Sequence, residues 1–364
     1  MSSSTIGSAW CRTIRYRFGG INSMKAALYT KPNTIEVRND VTDPDFLEGV
    51  MVRVKTTGFC ATDVKMIKGL KKSFRPLPLI FGHEFAGEVV KSTVTKYVEG
   101  DRVAIAPFAG CGVCRFCLRG DEHLCRNRML FSNGSTAEYT VVGPELAVKA
   151  GWKLPVDVTW EEGALTEPLA CVVLSLRACD FRPGDSVLVL GGGVMGLLHV
   201  LLAKAWGARR VMVSEPGRFR REFAATLGAD VVDPTNCPDV GSWARDLSGE
   251  GPDIIVVAAG SAEVGNAALQ VAGRGSRIQF FGGMPSGTTV AVDTGLIHYS
   301  GVTLLGTSGF RSVDVQSAAD MIRDHAVDLK QLVTHRFPVE EAQTAFETTQ
   351  KEEALRVMVE NTGW

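Results

Sequence analysis

The sequence predicts an α/β protein in two parts, one β-rich and one built on a doubly wound parallel sheet. From about Glu161 onward, strand and helix patterns alternate. Within that region an apolar strand runs into a glycine-rich turn at 191–196. The preceding stretch, from 24 to about 150, reads as short strands with little helix. A chain of 364 residues suits roughly two domains and a large core, so it needs no disulfide staples. Lys plus Arg number 39 and Asp plus Glu 40, leaving no basic excess to draw in nucleic acid or an anionic membrane.

Residues 1–23 contain Ser and Arg but no Asp or Glu. They lack the apolar core of a secretory signal and read as a disordered tail ahead of Met24, with an organelle presequence as the alternative. A strand-like pattern starts at Lys25. Further strands are expected at Val50–Thr57, Glu88–Val90, Arg102–Ala106 and Ala137–Val142. Between them lie Cys111, Cys114, Cys117 and Cys125, spaced C-x2-C-x2-C-x7-C. Four thiolates this close in sequence suit tetrahedral zinc. With every position filled by protein, such a site is structural and closed. An iron–sulfur run would end in a three-residue gap and a Pro, whereas here the last gap is seven and Arg126 follows.

The second part is expected to run Ser186–Leu190 strand, Val194–Trp206 helix, Arg210–Ser214 strand and Arg218–Leu227 helix. Ile254–Ala258, a helix near Val264–Val271, and Arg277–Phe281 follow. Val187–Ala203 is apolar except for His199, but three glycines interrupt it. It reads as a buried strand feeding a buried helix, not a membrane span. The turn between them, Gly191-Gly192-Gly193-Val194-Met195-Gly196, fits G-x-G-x-x-G. Gly191 makes the turn, Gly193 lets backbone approach a pyrophosphate, and Gly196 packs helix on sheet. The helix start, with Val194 and Met195, offers free N–H groups to phosphate. Glu215 ends the next strand, 19 residues after Gly196, where a carboxylate accepts from ribose hydroxyls. That favours NAD over NADP, although Arg218, Arg220 and Arg221 stand close by in sequence.

From Met24 to Trp364 the chain resembles the zinc-containing medium-chain alcohol and polyol dehydrogenases, the sorbitol-dehydrogenase-like branch in particular. The resemblance rests on GFCATD (Gly58–Asp63), GHEFAGEV (Gly82–Val89), GDRV (Gly100–Val103), the four-cysteine loop, EPLA (Glu167–Ala170), the glycine turn and VTHRFPVEEA (Val333–Ala342). It implies a GroES-like β-rich catalytic domain, 24–170 with 310–364, and a Rossmann domain, 171–309. It also implies a catalytic zinc held by Cys60, His83 and Glu84, with Glu167 binding directly or through water. Two zinc ions per chain follow. Thr62 matches a hydroxyl that passes the alcohol proton away from zinc, and Asp63 one that orients a ligand such as His83. Arg220 is counted with the cofactor-binding residues, and Arg356 matches a basic position that reaches the pyrophosphate. Lys65 departs from the family, which often has His there. His298 lies where the two lobes meet. Cys11, Cys171, Cys179 and Cys237 read as ordinary thiols.

The implied activity is reversible oxidation of a secondary alcohol in a polyol, diol or sugar-related compound, with hydride transfer to NAD(P). Oxidation of a hydroxy amino acid, as in threonine 3-dehydrogenase, is the alternative enzyme reading. A non-catalytic dinucleotide-binding protein is the alternative of another class. The resemblance further implies a cytoplasmic homo-oligomer, a dimer or tetramer.

Overall fold

The computed structural model describes residues 23–73, 75–131 and 133–361. The tail at 1–22, including Cys11, lies outside the described residues, and Ser23 already belongs to the first strand.

The β-rich part begins with β1 (Ser23–Lys31), β2 (Thr34–Thr42) and β3 (Val50–Gly58), followed by helix α1 (Ala61–Ile67). Then come β4 (Leu79–Ile80), β5 (Glu84–Ser92), β6 (Arg102–Ile105), β7 (Phe108–Ala109), α2 (Arg115–Leu118), β8 (Met129–Leu130), β9 (Tyr139–Val142), α3 (Pro144–Ala150) and β10 (Gly151–Lys153). Helices α4 (Trp160–Ala164) and α5 (Thr166–Ala178) lead into the second part. There β11 (Ser186–Leu190), α6 (Val194–Ala205), β12 (Arg210–Ser214), α7 (Arg218–Thr226), β13 (Asp230–Val232) and α8 (Val240–Ser248) precede β14 (Ile254–Val257). The chain continues through α9 (Ala262–Val271), β15 (Arg277–Phe280), α10 (Thr294–Ser300) and β16 (Thr303–Gly306). It ends with α11 (Ser312–Arg323), β17 (Val333–Pro338), α12 (Ala342–Thr348) and β18 (Arg356–Glu360).

The second part is a six-stranded parallel sheet in the order β13-β12-β11-β14-β15-β16. Its centre is apolar because helices cover both faces. All five residues of β11 are buried, and so are all four of β14. Each fully buried Val or Leu contributes roughly 1.5–3 kcal/mol. The strand order reverses between β11 and β14, and the ends of those strands open onto the crevice where such sheets take ligands.

The larger sheet of the first part runs β10-β6-β5-β3-β18-β17, with β9 also on β3. Its last two strands come from the C-terminus: β18 pairs antiparallel with β3, Met358 opposite Gly58. The chain therefore enters the parallel sheet after α5 and returns from it after β16. Arg177 of α5 reaches fully buried Asp314 of α11 at 2.7 Å, fixing the return against the entry. No helix among the described residues is long and apolar enough to cross a membrane.

Local chemistry sets the helices that the strand pattern hid. Thr159 and Glu162 exchange side-chain and backbone hydrogen bonds to start α4. Pro144 opens α3 at a position where its missing N–H costs nothing. The sequence pattern also passed over β13, α8 and β16, whose short or amphipathic segments lack the long apolar run of β11 and α6.

Candidate active site

The β3–β5 pairing builds the centre of the site. Gly58 lies opposite Glu84, so the loop after β3, carrying Cys60, meets the start of β5, carrying His83 and Glu84. Cys60 caps α1, its sulfur accepting from the Thr62 N–H, while Asp63 accepts from the Cys60 N–H at 3.3 Å. Asp63 also faces His83 Nδ1 at 3.4 Å and is 3 % exposed. A ring held at Nδ1 by a carboxylate presents Nε2 outward as a ligand.

One ligand atom each from Cys60, His83 and Glu84 gather within 4.8 Å of one another. Glu84 is 1 % exposed, and its Oε1 has no hydrogen-bond partner among the described residues. A buried carboxylate oxygen left unpaired carries a desolvation cost that a bound cation would relieve. A sulfur, an imidazole nitrogen and a carboxylate oxygen are a donor set zinc accepts, with a fourth position left for substrate. The residues therefore fit the metal. Burial and the Glu84 charge push the Cys60 thiol up. Burial alone would lower His83, but Asp63 and the Cys60 sulfur outweigh it and raise the imidazole well above its usual range.

Glu167, in the first turn of α5, stands outside the 4.8 Å set but faces it. Burial pushes its carboxyl up to about 7, with His83 opposing and Glu84 adding to the rise. One helical turn on, Cys171 places its sulfur 3.8 Å from Glu167 Oε1. Sequence reading treated Cys171 as an ordinary thiol. Its four-residue spacing from Glu167 on one helix face was the available signal.

Arg356 lies beside the cluster. The side chain is 3 % exposed, and Nη1 donates to Glu84 Oε2 at 2.5 Å and to the Phe59 carbonyl at 2.8 Å. Because β18 lies beside β3, Arg356 turns inward and offsets the buried Glu84 charge.

In the four-cysteine lobe, Cys111 and Cys117 sulfurs lie 3.9 Å apart, Cys114 and Cys117 3.6 Å, and Cys114 and Cys125 3.8 Å. A tetrahedron with Zn–S of about 2.3 Å has edges of about 3.8 Å, so this lobe also fits zinc. Glu122 inside it accepts from Ser312 Oγ at 2.7 Å and so anchors the lobe to the start of α11.

At the glycine turn, Gly191 has φ +115°, a conformation that L side chains rarely adopt. A Cβ on Gly196 would lie 1.9 Å from the Gly191 carbonyl oxygen, so only glycine lets α6 approach the strand end this closely. A Cβ on Gly193 would meet nothing within 4 Å, leaving that backbone open to a ligand. Val194 and Met195 form the first turn of α6. Glu215 is 7 % exposed and accepts from Gly192 N at 2.6 Å and Gly217 N at 2.8 Å, at the edge of the turn. Arg218 is drawn to Glu222, and Arg221 to Asp233 and two carbonyls. Arg220 keeps a buried Nε without a partner among the described residues. His298 lies exposed on α10 against Tyr299.

Two family descriptions match this chain: an alcohol dehydrogenase GroES-like domain at residues 48–152 and a zinc-binding dehydrogenase at 194–324. The L-threonine 3-dehydrogenase of Pyrococcus horikoshii is 33% identical over 328 residues, covering 86% of this chain and 91% of that one. This chain belongs to the zinc-containing medium-chain dehydrogenases. It is thus an NAD(P)-dependent oxidoreductase of the alcohol dehydrogenase type. L-Idonate 5-dehydrogenase of Vitis vinifera is 31% identical, covering 85% of this chain and 87% of that one. A zinc-binding dehydrogenase of Sinorhizobium meliloti 1021, solved bound to NADP, superposes with a TM-score of 0.86. It is 30% identical and covers 93% of this chain and 99% of its own. As family members share the GroES-like and Rossmann pairing, the two sheets here are those two domains.

Proposed function

We propose that the enzyme oxidises a secondary alcohol of a polyol, diol or sugar-related compound to the ketone, with NAD as hydride acceptor. The observation that carries this reading is the Cys60–His83–Glu84 cluster with its one unpartnered Glu84 oxygen. In the same reading the domains divide at 170/171 and 309/310.

Zinc bound by Cys60, His83 and Glu84 would polarise the alcohol oxygen and make its proton far more acidic. Around it, Asp63 orients His83 and the Cys60 turn, and Arg356 holds Glu84 Oε2 so that Oε1 faces the metal. Thr62 would relay the alcohol proton, its hydroxyl accepting it while handing its own proton on toward solvent. Glu167 stands one shell out and receives an ordered water or the proton in transit. The free N–H groups at the start of α6 hold the cofactor pyrophosphate, with Gly193 giving access. Glu215 meets the ribose hydroxyls, and its buried carboxylate repels a 2′-phosphate, which supports NAD. Arg220 keeps a buried Nε without a partner among the described residues.

A hydroxy amino acid substrate is the second reading, favoured by the identity to L-threonine 3-dehydrogenase. The enzyme also assembles as a homo-oligomer in this reading. Ile297 and Tyr299 on α10, 47 % and 78 % exposed beside edge strand β16, support a second copy there.

Metal analysis should give about two zinc per chain, and a panel of polyols, diols and hydroxy amino acids with both cofactors should show NAD reduction. The Cys60→Ser variant should lose one zinc and its turnover while still binding NADH. Full turnover in zinc-loaded Cys60→Ser enzyme overturns the assignment.

A further inference from the structure

We propose that Lys65 selects an alcohol carrying an anionic group, a carboxylate or a phosphate monoester, at the mouth of the cleft. This rests on the dehydrogenase reading of the site and deepens it. Lys65 lies three residues beyond Thr62 on α1, so the two side chains leave the same helix face. Its Nζ reaches across the cleft to the Gly283 carbonyl at 3.4 Å, a contact between residues 218 apart in sequence. Gly283 follows β15 at the carboxyl end of the parallel sheet, the end at which such sheets bind ligands. A Cβ on Gly283 would meet nothing within 4 Å, so the backbone beside this contact is open.

The charge along the chain after Lys65 is one-sided. Between Val64 and His83 the chain carries Lys65, Lys68, Lys71, Lys72 and Arg75 and no acid, in a protein whose net charge is -1. The flanking acids are committed elsewhere: Asp63 to His83 and the Cys60 N–H, Glu84 to Arg356. Lys65 makes no ion pair among the described residues. The ammonium has three donors, and one long contact to a backbone carbonyl leaves two for a ligand. A substrate whose hydroxyl sits at the Cys60–His83–Glu84 cluster therefore lies on the same side of α1 as this cation. A neutral polyol would leave that cation unpaired, while a sugar acid or polyol phosphate would pair with it.

The test uses zinc-loaded enzyme saturated with NADH, titrated with D-gluconate, D-glucitol 6-phosphate and D-glucitol and followed by NADH fluorescence. At least one anion should bind more tightly than glucitol by tenfold or more, and the tighter arm tells carboxylate from phosphate. In Lys65→Met enzyme that preference ratio should fall roughly 10- to 100-fold, as for a hydrogen bond to a charged group. Lys65→Arg should keep part of it. Losses common to all three ligands cancel in the ratio. Equal binding of the three ligands to the unaltered enzyme overturns the proposal. So does a Lys65→Met effect confined to NADH affinity, which would assign the lysine to the cofactor. Failure of the underlying dehydrogenase reading shows separately, as a single zinc per chain or no NADH binding.

Discussion

Lowering the pH places a charge on His199, and its surroundings set the cost. The side chain is 0 % exposed on α6. Nδ1 lies 2.7 Å from the Met195 carbonyl, Nε2 lies 2.8 Å from Ser175 Oγ, and the Phe281 ring stands edge-on at 4.7 Å. No carboxylate is among these contacts. Burial therefore pushes the imidazole from 6.5 down to about 4, with the Met195 carbonyl opposing. Because the folded value is lowered, the unfolded chain takes up the proton first. The stability contributed by the neutral ring is whole above pH 6.5 and is lost as pH falls toward 4. The gap corresponds to about 3 kcal/mol when fully developed and about 2 kcal/mol at pH 5. Urea unfolding at pH 7 and pH 5, with zinc in excess, compares the wild type with His199→Gln. The wild type should lose about 2 kcal/mol more than the variant across that interval, since carboxylate and thiolate contributions are common to both. Equal losses in the two proteins would refute the assignment of His199 as a buried neutral ring.

Gly196→Ala drives a methyl group into the Gly191 carbonyl and should cost about 1–3 kcal/mol in urea unfolding, along with NADH affinity. Gly193→Ala has room in the protein itself, so calorimetry should find its melting temperature kept while NADH titration finds affinity lost. Cys114→Ser removes a sulfur that lies within 3.8 Å of two others; elemental analysis should then read one zinc per chain, and the melting temperature should fall. Arg356→Met leaves Glu84 buried without its partner, at a cost of roughly 3–5 kcal/mol measured by denaturation. Adding Glu84→Gln to that variant should recover part of the loss.

Legibility followed sequence separation. The four cysteines fall within 15 residues, so their spacing alone pointed to zinc, and the sulfurs do lie at tetrahedral separations. The glycine turn was equally readable because strand, turn and helix are contiguous. Cys60 and His83 were different. They are joined only by the register of β3 on β5, and without the resemblance nothing in the sequence links them. Arg356 is 272 residues from Glu84, and their pairing depends on β18 joining β3. A resemblance by position could find that arginine but not which anion it faces. Lys65 and Gly283 meet only because two domains close on each other.

Hydride transfer needs the alcohol carbon and the nicotinamide held about 3–3.5 Å apart, although zinc ligands and glycine turn belong to different domains. Helix α5 bridges them. Its first turn carries Glu167 beside the Cys60–His83–Glu84 cluster. Eight residues later, about 12 Å along the axis, Ser175 hydrogen-bonds His199 of the cofactor helix. His199 in turn holds the carbonyl of Met195 within the glycine turn. At its end, Arg177 fixes α5 to the returning chain through Asp314. The path from the Cys60–His83–Glu84 cluster to the glycine turn thus runs through one helix and two short hydrogen bonds. A substitution at Ser175 or His199 should therefore lower turnover more than it weakens NADH binding, although neither residue reaches the substrate. The second crossing of the chain is held differently, by the Phe108–Phe310 stack at 4.0 Å beside Gly309 with φ +78°.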